Sequence, residues 1–421
     1  MSDFQYKNEE RIIFTKEMKK TYKILIPNML PIHFELLRNI LIVEGYDCDL
    51  LKYEGEDVIK EGLKYTHNDM CYPCLLVVGQ FIYALKSKKY DVDKTALLIT
   101  QTGGGCRASN YIHILRKALK KAGFPQIPVI SINLSGLEKN PGFKFSIPLI
   151  KKLASALLYG DMIMNLYNQT MPYEIEKGSS LKLKDRWVLN LSNQYKNSTG
   201  FGKKIMTKNF NDIVSDFSNI KINKTKKVRV GIVGEIYVKY SSTANNNIEK
   251  FLHKENVEVI IPGILNFIIF KADNRIVDID LYGGSKIKKY ICVEFKKYLE
   301  SLQKIFIDSI KKNKNFKAPA SFEETKKGVL KYLNYGVKMG EGWLLTAEIL
   351  ELINSNIKNI ICVQPFGCLP NHIVGKGMIR KILNNNENVN IITIDYDPGA
   401  TKINQENRIK LMLASAKENL K

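Results

Sequence analysis

Gln101-Thr-Gly-Gly-Gly-Cys-Arg-Ala-Ser-Asn-Tyr111 is the stretch from which the fold can be read. A buried-strand run precedes it, Thr95-Ala-Leu-Leu-Ile-Thr100, and an amphipathic helix pattern follows it from Tyr111 to Leu119. Cys106 therefore falls where a strand ends, a glycine-rich loop turns and a helix begins. Gly103, Gly104 and Gly105 let the backbone approach a bound group closely. Free N–H groups and the dipole at a helix N-terminus favour an anion and are expected to draw a thiol towards thiolate. A thiolate so placed is a metal ligand in waiting.

The same pattern recurs on both sides. Tyr22–Pro27 reads as a strand, His33–Val43 as a helix and Gly45–Leu51 as a turn and strand, which opens a βαβ unit. Glu56–Leu63 is a short helix; Asn68-Asp-Met-Cys-Tyr-Pro-Cys74 is a turn into an apolar helix from Leu75 to Leu85. Gln126–Ile132 is a further strand. Strands alternating with helices predict a mostly parallel, doubly wound sheet. Residues 1–20 form a polar leader, 21–140 a first α/β domain, 141–224 a helical connector and 225–421 a second α/β domain. In the second, Lys227–Tyr237 is a strand and turn, and Ser242–Leu252 a helix with its N-cap at the start. Val257–Ile261 is a strand, Gly342–Ile353 a helix, Asn359–Gln364 a strand and Asn390–Asp397 the last strand before a C-terminal helix. The fold class is α/β, two Rossmann-like doubly wound domains with a helical connector. Each half places a cysteine after a strand's carboxyl end, Cys106 and Cys368, where such sheets collect ligands. Facing each other, the halves would bring both loops to one interdomain cleft.

At 421 residues the chain has room for two to three domains, and its 45% apolar content is ordinary for a globular protein. No apolar run is long enough to span a membrane, and Met1–Arg11 lacks the apolar stretch of a signal peptide, so a cytoplasmic protein with no membrane partner is expected. The net charge of +22 raises a nucleic-acid partner. The lysines are scattered, however, and the densest run, 221–229, lies in a linker-like stretch, so a solvated basic surface is the favoured reading. Some of that charge would suit a phosphate-rich substrate such as a coenzyme A ester, or an acidic protein partner.

Seven cysteines, at 48, 71, 74, 106, 292, 362 and 368, argue against a disulfide framework in such a chain and for metal or thiol chemistry. The flanks of Cys71-Tyr-Pro-Cys74 are not thioredoxin-like. Zinc on Cys71, Cys74 and two later thiols is one alternative, weakened because the ligands come from distant loops. An iron–sulfur cluster fits better, with Cys71, Cys106 and Cys368 as thiolates and Cys74 and Cys362 as further candidates. Cys362 lies within an apolar strand and reads equally as a core thiol; Cys48 and Cys292 read as core or surface thiols. Gly103–Gly105 and Gly367 would cradle the cluster. No Walker pattern is present, and neither Gly231-Ile-Val-Gly234 nor Gly375-Lys-Gly377 completes a dinucleotide fingerprint. His372 reads first as satisfying a helix start, with donation to a cluster sulfide or substrate as the alternative. Glu235 and Glu341, each beside a glycine, read first as solvated turn residues, with acid/base groups facing the cleft as the alternative.

Five stretches together resemble the 2-hydroxyacyl-CoA dehydratase / double-cubane cluster protein superfamily. They are Asn68–Pro73, Gln101–Tyr111, Gly340–Glu348, Gln364–His372 and Ile394–Ala400, and the resemblance spans roughly residues 20–415. It is greatest to the branch often fused behind an actin-like activator and described as a CoA-substrate-specific enzyme activase. The resemblance implies two Rossmann-like domains around an iron–sulfur cluster. An ATP-dependent activator iron–sulfur protein would supply low-potential electrons under anaerobic conditions, and a homologous second subunit is a further possible partner. Dehydratase members pass the electron to a 2-hydroxyacyl-CoA; double-cubane members carry [8Fe-9S] on six thiolates and reduce small molecules. Here Cys71, Cys106 and Cys368 match, with Cys362 in the same motif, which favours [4Fe-4S] over the double cubane. Nothing resembles the activator's own phosphate loops. An enzyme component, a non-catalytic electron-transfer protein and a zinc-stabilised nucleotide-binding module are thus the readings to separate.

Overall fold

A computed structural model describes residues 11–67, 69–101, 105–132 and 138–419. Gly103 and Gly104 lie outside the described residues. Eight strands form two parallel four-stranded sheets. The first contains β1 (Lys23–Ile26), β2 (Asp47–Leu50), β3 (Thr95–Thr100) and β4 (Val129–Ile132), in the order β2-β1-β3-β4. The second contains β5 (Arg229–Gly234), β6 (Glu258–Ile260), β7 (Asn359–Pro365) and β8 (Asn390–Tyr396), in the order β6-β5-β7-β8. All pairings within the two sheets are parallel. The strands are short and apolar because helices cover them; five of the six β3 residues are buried. Both sheets have the same order, so each has its switch point beside its first strand, between β1 and β3 and between β5 and β7. The α/β character expected from the sequence is therefore present.

The helix Tyr72–Lys86 crosses over to β3 and is buried on nearly every side. It packs on Glu56–Tyr65 through two glycines. A Cβ on Gly79 would lie 2.1 Å from the Val58 carbonyl oxygen, and one on Gly62 would lie 2.3 Å from that of Leu75. The sequence reading started this helix at Leu75. It starts at Tyr72, because proline is tolerated in a helix's first turn. Cys74 is consequently a helical residue, not a loop residue.

Three helices occupy most of residues 147–218: Ile147–Thr170, Ser179–Lys196 and Lys203–Ser218. They pack with two long helices that the sequence reading left unassigned, Leu265–Tyr282 and Lys286–Lys311. Asp161, on the helix Ile147–Thr170 and 5% exposed, ties three segments together. Its carboxylate lies 2.8 Å from His33 Nε2 and accepts the Ile264 and Leu265 N–H groups at 2.9 and 3.0 Å. The expected helix Ser242–Leu252 is a correction. Turns occupy 242–247 and the helix runs Ile248–Lys254, because Asn246 and Asn247 adopt left-handed backbone (φ 55° and 59°) that a helix cannot continue through. No described helix is long and apolar enough to cross a membrane.

Candidate functional site

Cys71 is the residue from which the Tyr72–Lys86 helix starts, with extended backbone (φ −70°, ψ 154°). Cys106 follows β3 and opens the 3-10 turn Arg107–Asn110, which runs into the helix Tyr111–Ala122. Arg107 donates to the Asp69 carbonyl, which joins these two loops. Cys368 follows β7. Gly367 before it has φ +69°, the left-handed region that glycine enters freely.

These three cysteines, from positions far apart in the chain, line one small pocket of about 60 Å³ that opens to solvent. Tyr111, Glu235, Lys271 and Glu341 share its wall. The Tyr111 hydroxyl sits 2.6 Å from Cys71 Sγ. The Asn371 amide donates to Cys368 Sγ at 3.4 Å. Lys271 Nζ donates to the Gly340 carbonyl at 2.6 Å and lies 4.9 and 5.4 Å from the ring centres of Phe267 and Phe270. The two carboxylates are anchored on backbone: Glu341 accepts the Ile236 N–H at 3.0 Å, and Glu235 that of Val238 at 2.8 Å. Glycines make the approach possible. A Cβ on Gly105 would lie 2.5 Å from the Met339 sulfur, and one on Gly340 would lie 2.8 Å from the Pro370 ring and 3.9 Å from Cys106 Sγ.

Several sequence expectations are revised here. Glu235 and Glu341 are not solvated turn residues; both face the pocket, and Glu341 is 8% exposed. Cys106 is not drawn towards thiolate. The Ala108 backbone N–H lowers its pKa as a helix start should, but burial outweighs this, and the charges of Glu341 and Glu235 add to burial. Burial raises Cys71 to about 11 and raises Cys368 further, again with Glu235 and Glu341 contributing. Glu235 itself is pushed up to about 8, first by burial and then by Glu341. Burial lowers Lys271, and Glu341 and Cys106 partly offset this. The bare pocket thus favours neutral thiols, and a cation binding them must release protons.

Cys74 and Cys362 stand apart from the pocket lining. Cys74 is 1% exposed within its helix; Cys362 is 0% exposed in β7, its thiol raised by burial to about 12. Cys48 is buried in β2, and Cys292 is half-buried in the helix Lys286–Lys311. His372 directs Nδ1 to the Cys368 carbonyl at 2.9 Å. Nothing in the local pattern marks Tyr111 or Lys271 as site residues; only the fold brings them to the cysteines.

Among the described residues, no three His, Cys, Asp or Glu side chains are close enough to hold a metal ion. Tetrahedral zinc, with Zn–S bonds of about 2.3 Å, needs sulfurs within about 4 Å of one another. A cluster takes each thiolate on a different iron, so its ligands need not converge on one point. Three cysteines, a tyrosine hydroxyl 2.6 Å from one sulfur and an amide nitrogen 3.4 Å from another are the donors that this partly enclosed pocket offers. Comparison with protein families and with curated proteins gave no match, so the chemistry of this pocket is argued from its own residues.

Proposed function

We propose that Cys71, Cys106 and Cys368 bind a [4Fe-4S] cluster in a cleft between two Rossmann-like domains. Through it the protein would accept low-potential electrons from an ATP-dependent activator and reduce or dehydrate a substrate, an acyl-CoA in the scheme that the resemblance implies. The observation that carries this reading is the meeting of three cysteines from distant loops in one pocket. Three thiolates on four irons leave one iron for another ligand. A double cubane would need six thiolates, and the pocket presents three.

The cluster's contribution would be one-electron reduction at low potential. The chain's own residues set the conditions for it. Tyr111 and Asn371 place an O–H and an N–H against two of the three sulfurs, which stabilises added electron density there. Lys271 supplies a cation in the pocket wall, and Glu235 holds a proton near neutrality that a reduced substrate could take.

Iron and acid-labile sulfide, measured on chain purified without oxygen, test this reading. About four of each per chain support it, by the composition of the cube. About eight irons would move the assignment to a double cubane, and zinc or no metal would end it.

A further inference from the structure

The halves repeat more than their strand order. In the first, the packed helices Glu56–Tyr65 and Tyr72–Lys86 precede β3, and the loop after β3 carries Cys106. In the second, the packed helices Phe322–Val329 and Trp343–Asn354 precede β7, and the loop after β7 carries Cys368. Cys106 and Cys368 are thus counterparts. The counterpart of Cys71, which leads into the crossover helix of the first half, is the segment Gly340-Glu341-Gly342, which leads into the crossover helix of the second. Its one side chain beyond a hydrogen is Glu341, and Glu341 lines the pocket as Cys71 does.

We propose that Glu341 is the fourth ligand of the cluster, an oxygen donor where the first half of the chain has a thiol. This rests on the iron–sulfur reading above. The loop is built to hold that carboxylate in place. Gly340 and Gly342 both have left-handed backbone (φ +62° and +49°), and a Cβ on Gly342 would lie 2.5 Å from the Val337 carbonyl oxygen. Lys271 grips the Gly340 carbonyl. The Ile236 N–H fixes one carboxylate oxygen, an arrangement that orients a carboxylate for metal binding through the other. A carboxylate is a harder donor than a thiolate and holds iron less firmly than its three sulfur-ligated neighbours are held. The fourth iron would therefore be the one most readily lost.

The test uses the full chain, reconstituted without oxygen, as native protein, Glu341→Cys and Glu341→Gln. Iron per chain and the electron paramagnetic resonance spectrum are followed during mild ferricyanide oxidation. The native protein is expected to lose one iron and develop a three-iron signal, Glu341→Gln to do so faster, and Glu341→Cys to keep all four irons. Equal rates of iron loss in all three would overturn Glu341 as a ligand while leaving the cluster in place. Should Glu341→Cys fail to fold, an unchanged rate in Glu341→Gln overturns the proposal alone. A native protein without iron overturns the underlying cluster reading, and the proposal with it.

Discussion

Replacing Glu348 with alanine should strand an ammonium group in the core. Lys239 Nζ donates to both Glu348 carboxylate oxygens, at 2.9 and 3.0 Å, and the two residues are 4% and 2% exposed. Removing one partner of a buried ion pair leaves the other desolvated and uncompensated, which costs about 3–5 kcal/mol. With a urea dependence of about 3 kcal/mol/M, the upper end for small domains, the unfolding midpoint should fall by about 1–1.7 M. The pair also has a place in the site. Lys239 lies on the short helix that follows Glu235, and Glu348 on the helix entered through Glu341. Iron retention in Glu348→Ala should therefore drop at urea concentrations below the unfolding transition. The double variant Lys239→Met, Glu348→Leu removes both charges and should recover most of the lost stability, since a buried pair is often no better than an apolar replacement. The assay is urea titration followed by far-ultraviolet circular dichroism, with iron measured after desalting. A Glu348→Ala midpoint within about 0.3 M of native, a shift too small for an orphaned charge, would refute the reasoning. So would a double variant as unstable as the single one.

Other perturbations follow from the same geometry. Gly79→Ala drives a methyl group against the Val58 carbonyl and should destabilise the chain by about 1–3 kcal/mol or more, read from the thermal midpoint. Glu351, which accepts from Thr325 at 2.9 Å, is pushed up to about 7, mainly by burial. Between 4.5, its unperturbed value, and about 7 the native chain keeps a proton that the unfolded chain has released, so this group's contribution to stability is lost as pH rises through that window. Glu351→Gln removes the titration, and its thermal midpoint should gain on the native protein's from pH 5 to pH 8. Tyr111→Phe deletes the hydroxyl 2.6 Å from Cys71 Sγ; iron content should hold while the midpoint potential becomes more negative, measured by redox titration.

Most strands were legible because they are short apolar runs between glycine and polar breaks, and β3, β7 and β8 fall close to where periodicity puts them. The helix Lys286–Lys311 was not. Its buried residues lie only from Leu299 onward, while Tyr290 and Ile291 at its start are exposed, so no apolar stripe runs its length. The three pocket cysteines were legible from loop context alone, since each lies beside glycine or proline at the start of a helix or turn. Glu235 and Glu341 were misjudged because a glutamate beside glycine in a turn is usually solvated. Only the fold brings both to the pocket wall and buries Glu341. The correspondence between Cys71 and the segment 340–342 is likewise hidden by the intervening helices Leu265–Tyr282 and Lys286–Lys311, which push the second crossover helix far down the chain.

The central claim is that Cys71, Cys106 and Cys368 act together on one cluster while the other thiols do not. The most direct measurement is iron per chain in five variants purified without oxygen: Cys71→Ala, Cys106→Ala, Cys368→Ala, Cys74→Ala and Cys362→Ala. The account predicts that each of the first three loses most of its iron and that the last two retain the native amount. Iron that survives in any of the first three, or that disappears with Cys74 or Cys362 in a chain that still folds, would contradict it.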